Sequence, residues 1–155
     1  MADVVDKPTR SRMMAGIKGR NTKPELRLRT LLHSAGFRYR IHADNLPGKP
    51  DLVFRRHHAV ILVQGCFWHR HSGCRWATTP ASNAGFWAEK LGKNVERDVR
   101  NISELQALGW RVGTVWECAL RQLSDIEITG MVSSWLLGTE GLLDVACKSQ
   151  LAKSD

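Results

Sequence analysis

Ten consecutive residues, Gly65-Cys66-Phe67-Trp68-His69-Arg70-His71-Ser72-Gly73-Cys74, place two thiols, two imidazoles and two aromatic rings in one short stretch. Cys66, His71 and Cys74 have ligand-like local spacing, and Cys118 completes a Cys3His set if a sheet returns it to the loop. Such a set is closed, so its zinc would be structural, pinning a segment with little core of its own. The competing reading is unrelated buried thiols beside surface histidines. Cys147 stands alone in the tail and is expected to take no part.

A second constellation pairs Asp51, which follows Pro50, with Gln64, thirteen residues on at the end of the apolar run Ala59 to Val63. A carboxylate at the start of one strand and a polar group at the end of its neighbour can converge on one point. A hard cation held there by carboxylate and backbone carbonyl oxygens would polarise a phosphate. Asp after Pro is also a common turn residue.

Two aromatic pairs, Phe67-Trp68 and Phe86-Trp87, lie among Arg70, Arg75, Lys90 and Lys93. Apolar wedges ringed by cations suit insertion between base pairs, with core packing as the rival reading. Trp110 and Trp116 fall in a strand pattern and are expected in the core. The charge is uneven: the chain carries a net +8, with ten basic residues and one acid between Lys7 and Arg40, whereas Arg121 to Asp155 is net acidic. A one-signed patch of this kind attracts a polyanion such as nucleic acid, unless it is only a solvated helix face.

The elements that must hold these groups follow from pattern. Residues 9–19 read as a short helix, and Thr22 with Glu25 forms a capping box ahead of Leu28, Leu31, Leu32 and Ala35, a helix ending near Gly36. Strands are expected over Phe37 to Ile41, Asp51 to Phe54, Ala59 to Val63 and Trp110 to Trp116. Gly65 to Pro80 has no period and reads as a structured loop. From Asn83 to Leu108 a long helix runs through Leu91, Val95, Ile102 and Leu105, with Lys90, Asn94 and Arg97 on another face. Short helices to about Leu137 and a featureless tail complete the chain. The order predicts an α/β fold, a mixed sheet flanked by helices.

At 155 residues, 43% hydrophobic and 25% charged, the chain is expected to be one globular domain. It divides into a basic segment (1–22), a core (23–120) and C-terminal helices with a tail (121–155). No run of eighteen apolar residues and no secretory leader is visible, so a cytoplasmic location is expected.

Taken in order, TRSRMMAGIKGRNTKPE, LPGKPDLV, GCFWHRH with Cys74, FWAEKLGKNVERD and GWRVGTVWEC resemble the very-short-patch repair (Vsr) endonucleases, T:G mismatch nicking enzymes of bacterial DNA repair. The likeness covers roughly residues 8–120. It implies a restriction-endonuclease-like fold, a structural Zn2+, and Mg2+-dependent hydrolysis of the phosphodiester 5′ to a thymine mispaired by deamination of 5-methylcytosine. By this resemblance Asp51 and the Val63 carbonyl hold Mg2+, and His69 is the general base with Glu25 orienting it. Asp98 is a further acidic residue near the site. Cys66, His71, Cys74 and Cys118 bind Zn2+. Phe67, Trp68 and Trp87 intercalate, Lys90 and Asn94 meet the mismatched pair, and Met14 enters from the opposite groove within a basic segment containing Arg12 and Lys18. Glu25 also has its capping role, and one carboxylate does not readily serve both. Position 64 departs from the family, which commonly carries histidine where this chain has Gln64; glutamine cannot titrate but can orient a water or bond a phosphate oxygen. The implied partners are duplex DNA with a T:G mismatch, bound by a monomer, and functional links to a cytosine methyltransferase, a repair polymerase and a ligase. The rival reading is a zinc-containing, DNA-distorting module that has lost catalysis through Gln64.

Overall fold

The computed structural model describes residues 21–147. The helix expected over residues 9–19, with Arg12, Met14 and Lys18, lies outside the described residues. Helix α1 (Lys23–Ser34) starts at the expected cap: Thr22 Oγ1 accepts the Glu25 N–H at 3.4 Å, and a Glu25 carboxylate oxygen accepts the Asn21 N–H at 2.7 Å. Leu28 and Leu32 on its inner face are fully buried. The helix stops where Gly36 (φ +97°) takes the left-handed conformation open to glycine; its N–H reaches His33 O, and the Phe37 N–H reaches Leu32 O, both at 3.0 Å. This turn folds Phe37 back into the core beside Leu32. Of the strand expected over Phe37 to Ile41, only Arg40–Ile41 (β1) therefore pairs.

The five-stranded sheet has the order β1-β2-β3-β4-β5. Strand β2 (Leu52–Phe54) is antiparallel to β1 and to β3 (Ala59–Gln64), while β3, β4 (Arg111–Trp116) and β5 (Leu142–Val145) are parallel neighbours. A parallel pair needs a crossover, and between β3 and β4 it comprises the loop over 65–83 and helix α2 (Ala84–Ala107). Helices α3 (Glu117–Gln122) and α4 (Asp125–Leu137) lead to β5.

Alternation along β3 divides the core. Ala59 and Ile61 join α1 and α4 through Leu28, Leu32, Ile128, Val132 and Trp135, whereas Val60 and Leu62 face Val53, Leu105 and Val112. With both faces covered, β3 reads as a continuous apolar run. Two expectations are corrected. The tail holds β5, an edge strand whose four residues, two largely exposed and one an Asp, fall below the pattern threshold. On α2, Val95 faces outward, 37% exposed, although Leu91 and Leu105 of the same stripe are buried.

Arg111 ties the sheet to α4. Its guanidinium donates to Trp135 O (2.7 Å), Leu136 O (3.0 Å) and His57 O (2.8 Å) and lies 5.0 Å from the Trp135 ring. The unpaired carbonyls at the end of a helix thus gain a cation.

Candidate active site and metal centre

Asp51 enters β2 with its N–H on Ile61 O (3.1 Å), and its Oδ2 accepts the Val63 N–H at 2.7 Å. In an extended strand the N–H and C=O of one residue face the same edge, so the Val63 carbonyl also turns toward Asp51. The carboxylate of Glu25 meets Asp51, is paired with Arg29, and lies 3.4 Å from His42 Nε2. Burial, then the hydrogen bond and charge of Glu25, push Asp51 up to about 8, even though the Val63 N–H favours its ionised form. Burial opposes ionisation of Glu25 too, but Asp51, Arg29 and the Asn21 N–H together hold its carboxyl below the usual value. The two carboxyls share a proton, and the Val63 carbonyl lies on the same strand edge. That donor set suits a hard divalent cation, which would replace the proton.

His69 lies across the same cleft. Its Nδ1 is 2.6 Å from Asp98 Oδ2, so the carboxylate on this ring is that of Asp98 on α2, not that of Glu25. Glu25 is engaged instead with Asp51, Arg29, His42 and its own cap, which corrects the arrangement expected from the sequence. Gln64 ends β3 only 6% exposed, and its side chain has no hydrogen-bond partner among the described residues. Asp51, Val63, Gln64 and His69 form a ridge between two open clefts. One, of about 620 Å³, is walled by Lys49, Arg97, Asp98, Arg100 and Asn101; the other, of about 480 Å³, by Glu25, Trp68 and Glu117.

Cys66, His71, Cys74 and Cys118 converge, all buried, with their ligand atoms within 4.8 Å of one another. Cys118 Sγ lies 3.5 Å from His71 Nδ1, close to the edge of a tetrahedron with Zn–S of about 2.3 Å and Zn–N of about 2.0–2.1 Å. Burial pushes the Cys66 thiol up to about 11 and Cys118 higher still, and the same burial pulls His71 down, so these three side chains are held neutral as they stand. This buried, closed set of soft donors fits zinc, which would displace the thiol protons. Trp116 is not simple core: it stacks on His71 at 3.9 Å and 3°, and its Nε1–H donates to Asp144 Oδ1 of β5 at 2.8 Å. Cys147, expected to take no part, is fully buried in this cluster and hydrogen-bonds Cys118 through its backbone and its thiol.

The aromatic pairs meet outside the core. Phe67 touches Trp68 (5.0 Å) and Trp87 (5.7 Å), Trp68 touches Trp87 (5.9 Å), and Phe86, 60% exposed, leans on Trp87 (5.4 Å). Asn94 donates from Nδ2 to Trp68 O at 3.1 Å, and Arg70 ties the loop through Thr78 O (2.8 Å) and Thr79 Oγ1 (3.1 Å). Lys90 is exposed on the same helix. The result is a stiff aromatic projection next to the cleft that holds Asp51 and His69.

Comparison with known proteins agrees with this geometry. The family model for DNA mismatch endonuclease Vsr matches residues 2–75. The chain is 50% identical to the DNA mismatch endonuclease Vsr of Escherichia coli over 141 residues, 89% of this chain and 90% of that protein. The chain belongs to the Vsr family. It is also 43% identical to the type II nicking enzyme V.XorIIP of Xanthomonas oryzae, over 82% of this chain and 93% of the relative, and 43% identical to the type II nicking enzyme V.NmeAIP of Neisseria meningitidis, over 78% and 86%. Membership in the Vsr family makes the chain a DNA mismatch endonuclease, a nicking hydrolase with DNA as substrate. No helix among the described residues is long and apolar enough to cross a membrane. Sequence reasoning missed Arg29 and His42 at the Glu25 carboxylate; the i, i+4 spacing of Glu25 and Arg29 was the one available signal.

Proposed function

We propose that this protein nicks one strand of duplex DNA 5′ to the thymine of a T:G mismatch, the first step of very-short-patch repair of deaminated 5-methylcytosine. The observation that carries the reading is the placement of Asp51 and the His69–Asp98 pair in one cleft, with a half-buried aromatic cluster alongside. Phe67, Trp68 and Trp87 enter the stack and unstack the distorted pair, for which a T:G wobble costs less than a matched pair. Lys90 and Asn94, one helical turn apart, face that pair. Mg2+, held by Asp51 and the Val63 carbonyl beside Glu25, would neutralise charge on the phosphate and activate water. His69 takes the proton from the attacking water at Nε2, because Nδ1 is engaged by Asp98, whose carboxylate fixes the ring and offsets its positive charge. Asp98 is thus a positioning residue. Gln64 presents an amide to the phosphate or the water. The zinc set holds the loop bearing Phe67, Trp68 and His69 in shape. The enzyme acts as a cytoplasmic monomer, downstream of a cytosine methyltransferase and ahead of a polymerase and ligase.

The test is a nicking assay on end-labelled duplexes carrying T:G or T:A in candidate methyltransferase sites, with Mg2+ or EDTA. A Mg2+-dependent nick 5′ to the thymine in the T:G duplex alone is the expected result. T:G binding with no product in any sequence context would favour the silent binding module instead.

A further inference from the structure

The larger cleft beside the ridge has a wall that none of the roles above explains. Lys49 stands on one side and Arg97 and Arg100 on the other, all exposed, and no side chain of the three has an ion-pair or hydrogen-bond partner among the described residues. Arg29 and Arg70, by contrast, are engaged: Arg29 pairs with Glu25, and Arg70 is spent on the loop. The wall is also held in place. Gly48 (φ +72°) packs so closely on α2 that a Cβ there would come within 3.0 Å of Asn101 Cβ, which fixes Lys49 opposite the two arginines. Three unpaired cations around a rigid cleft, next to a position suited to a phosphate, are a built anion site.

We propose that Lys49, Arg97 and Arg100 bind the backbone phosphate immediately 5′ to the scissile one. This rests on the reading of a nick 5′ to the mispaired thymine, which puts the thymine and its 3′ flank on the side of Trp68 and Trp87. The strand then leaves the ridge on the opposite side, through the cationic cleft, in the 5′ direction. Asp98, which holds His69, lies between Arg97 and Arg100 on α2, so the cationic wall adjoins the His69 side of the ridge. The site recognises a phosphodiester without reading sequence. It also gives the cut strand a direction through the enzyme, so that the attacking water meets the phosphate on the His69 side.

The experiment measures binding without cleavage, in EDTA, to T:G duplexes bearing a single neutral methylphosphonate at the phosphate 5′ to the scissile one, at the next phosphate 5′, or at the first phosphate 3′. Wild type is compared with Lys49→Ala/Arg97→Ala/Arg100→Ala. Removing the charge 5′ to the scissile phosphate is expected to weaken wild type about 5- to 10-fold and the triple variant less than twofold, and the variant's salt slope falls by at least about one. The doubly conservative Arg97→Lys/Arg100→Lys keeps most of the coupling, and unchanged thermal melts show that the surface replacements leave the fold intact. A full penalty in the triple variant at the 5′ position, or coupling at the 3′ phosphate instead, would overturn the assignment. Nicking of the unmodified T:G and T:A duplexes by wild type, run alongside, tests the underlying function separately.

Discussion

Replacing Asp98 with Asn removes one charge and little volume next to His69, and so isolates what that carboxylate does. The Nδ1 to Oδ2 distance is 2.6 Å, which puts the centres of charge about 4 Å apart, worth about 4 kcal/mol at an effective dielectric near 20. The two side chains are 24% and 16% exposed, so solvent screening reduces this to about 2–3 kcal/mol. If that interaction strengthens only when the ring takes the proton, single-turnover nicking at saturating DNA and Mg2+ falls about 30- to 150-fold. Duplex affinity is unchanged or slightly tighter, since a negative charge has left a wall of the cleft. Asp98→Ala, which also frees the ring to rotate and change tautomer, falls further. Glu25→Gln is the contrasting variant: its carboxylate faces Asp51, so the loss is in the Mg2+ concentration required and is largely restored by raising Mg2+. Nicking by Asp98→Asn within threefold of wild type would refute this assignment. So would a Glu25→Gln defect that no Mg2+ concentration relieves.

Three further outcomes follow from the geometry. Asp51 is protonated up to about pH 8 in the metal-free protein, so its contribution to stability is full below its ordinary value near 3.8 and fades as pH rises toward 8; apparent Mg2+ affinity accordingly rises by up to about tenfold per pH unit below that point and levels off above it. A Mg2+ titration at pH 6.5, 7.5 and 8.5 reads this directly, and a flat response would place the proton elsewhere. Arg111→Met leaves the carbonyls of His57, Trp135 and Leu136 without their donor and should cost about 3 kcal/mol, or roughly 6–12 °C of Tm, measured by calorimetry. Cys147→Ala removes a thiol hydrogen bond from Cys118 while keeping the zinc ligands, so a chelator should extract zinc several-fold faster at unchanged stoichiometry, whereas Cys74→Ser should lose the metal.

The chain announces its chemistry and most of its elements where the signal is local. The capping box of Thr22 and Glu25, the apolar run of β3 and the Cys-His spacing of the loop each lie within a few residues, and each is found where its pattern predicts. What stayed hidden depends on returns from far along the chain. Strand β5 has only four residues and little β-branching, so it becomes a strand by pairing with β4, and only that pairing brings Asp144 to Trp116 and Cys147 to Cys118. A lone cysteine in a polar tail carries no spacing signal until the sheet supplies its neighbours.

The two carboxylates show a different limit. Glu25 and Asp98 each line a cleft that His69 also lines, and type and spacing alone cannot say which of them faces His69. The answer follows from how each is anchored. Glu25 sits in the first turn of α1, where its cap, Arg29 and His42 hold it over Asp51, so moving it to His69 would leave a buried cation and a buried acid unpaired. Asp98 lies on the stretch of α2 that walls the larger cleft together with Arg97, Arg100 and Asn101. The apolar stripe of α2 does not say by itself which of its positions meet the core: Val95 and Val99 keep the apolar pattern yet are exposed, whereas Leu91 and Leu105 are buried.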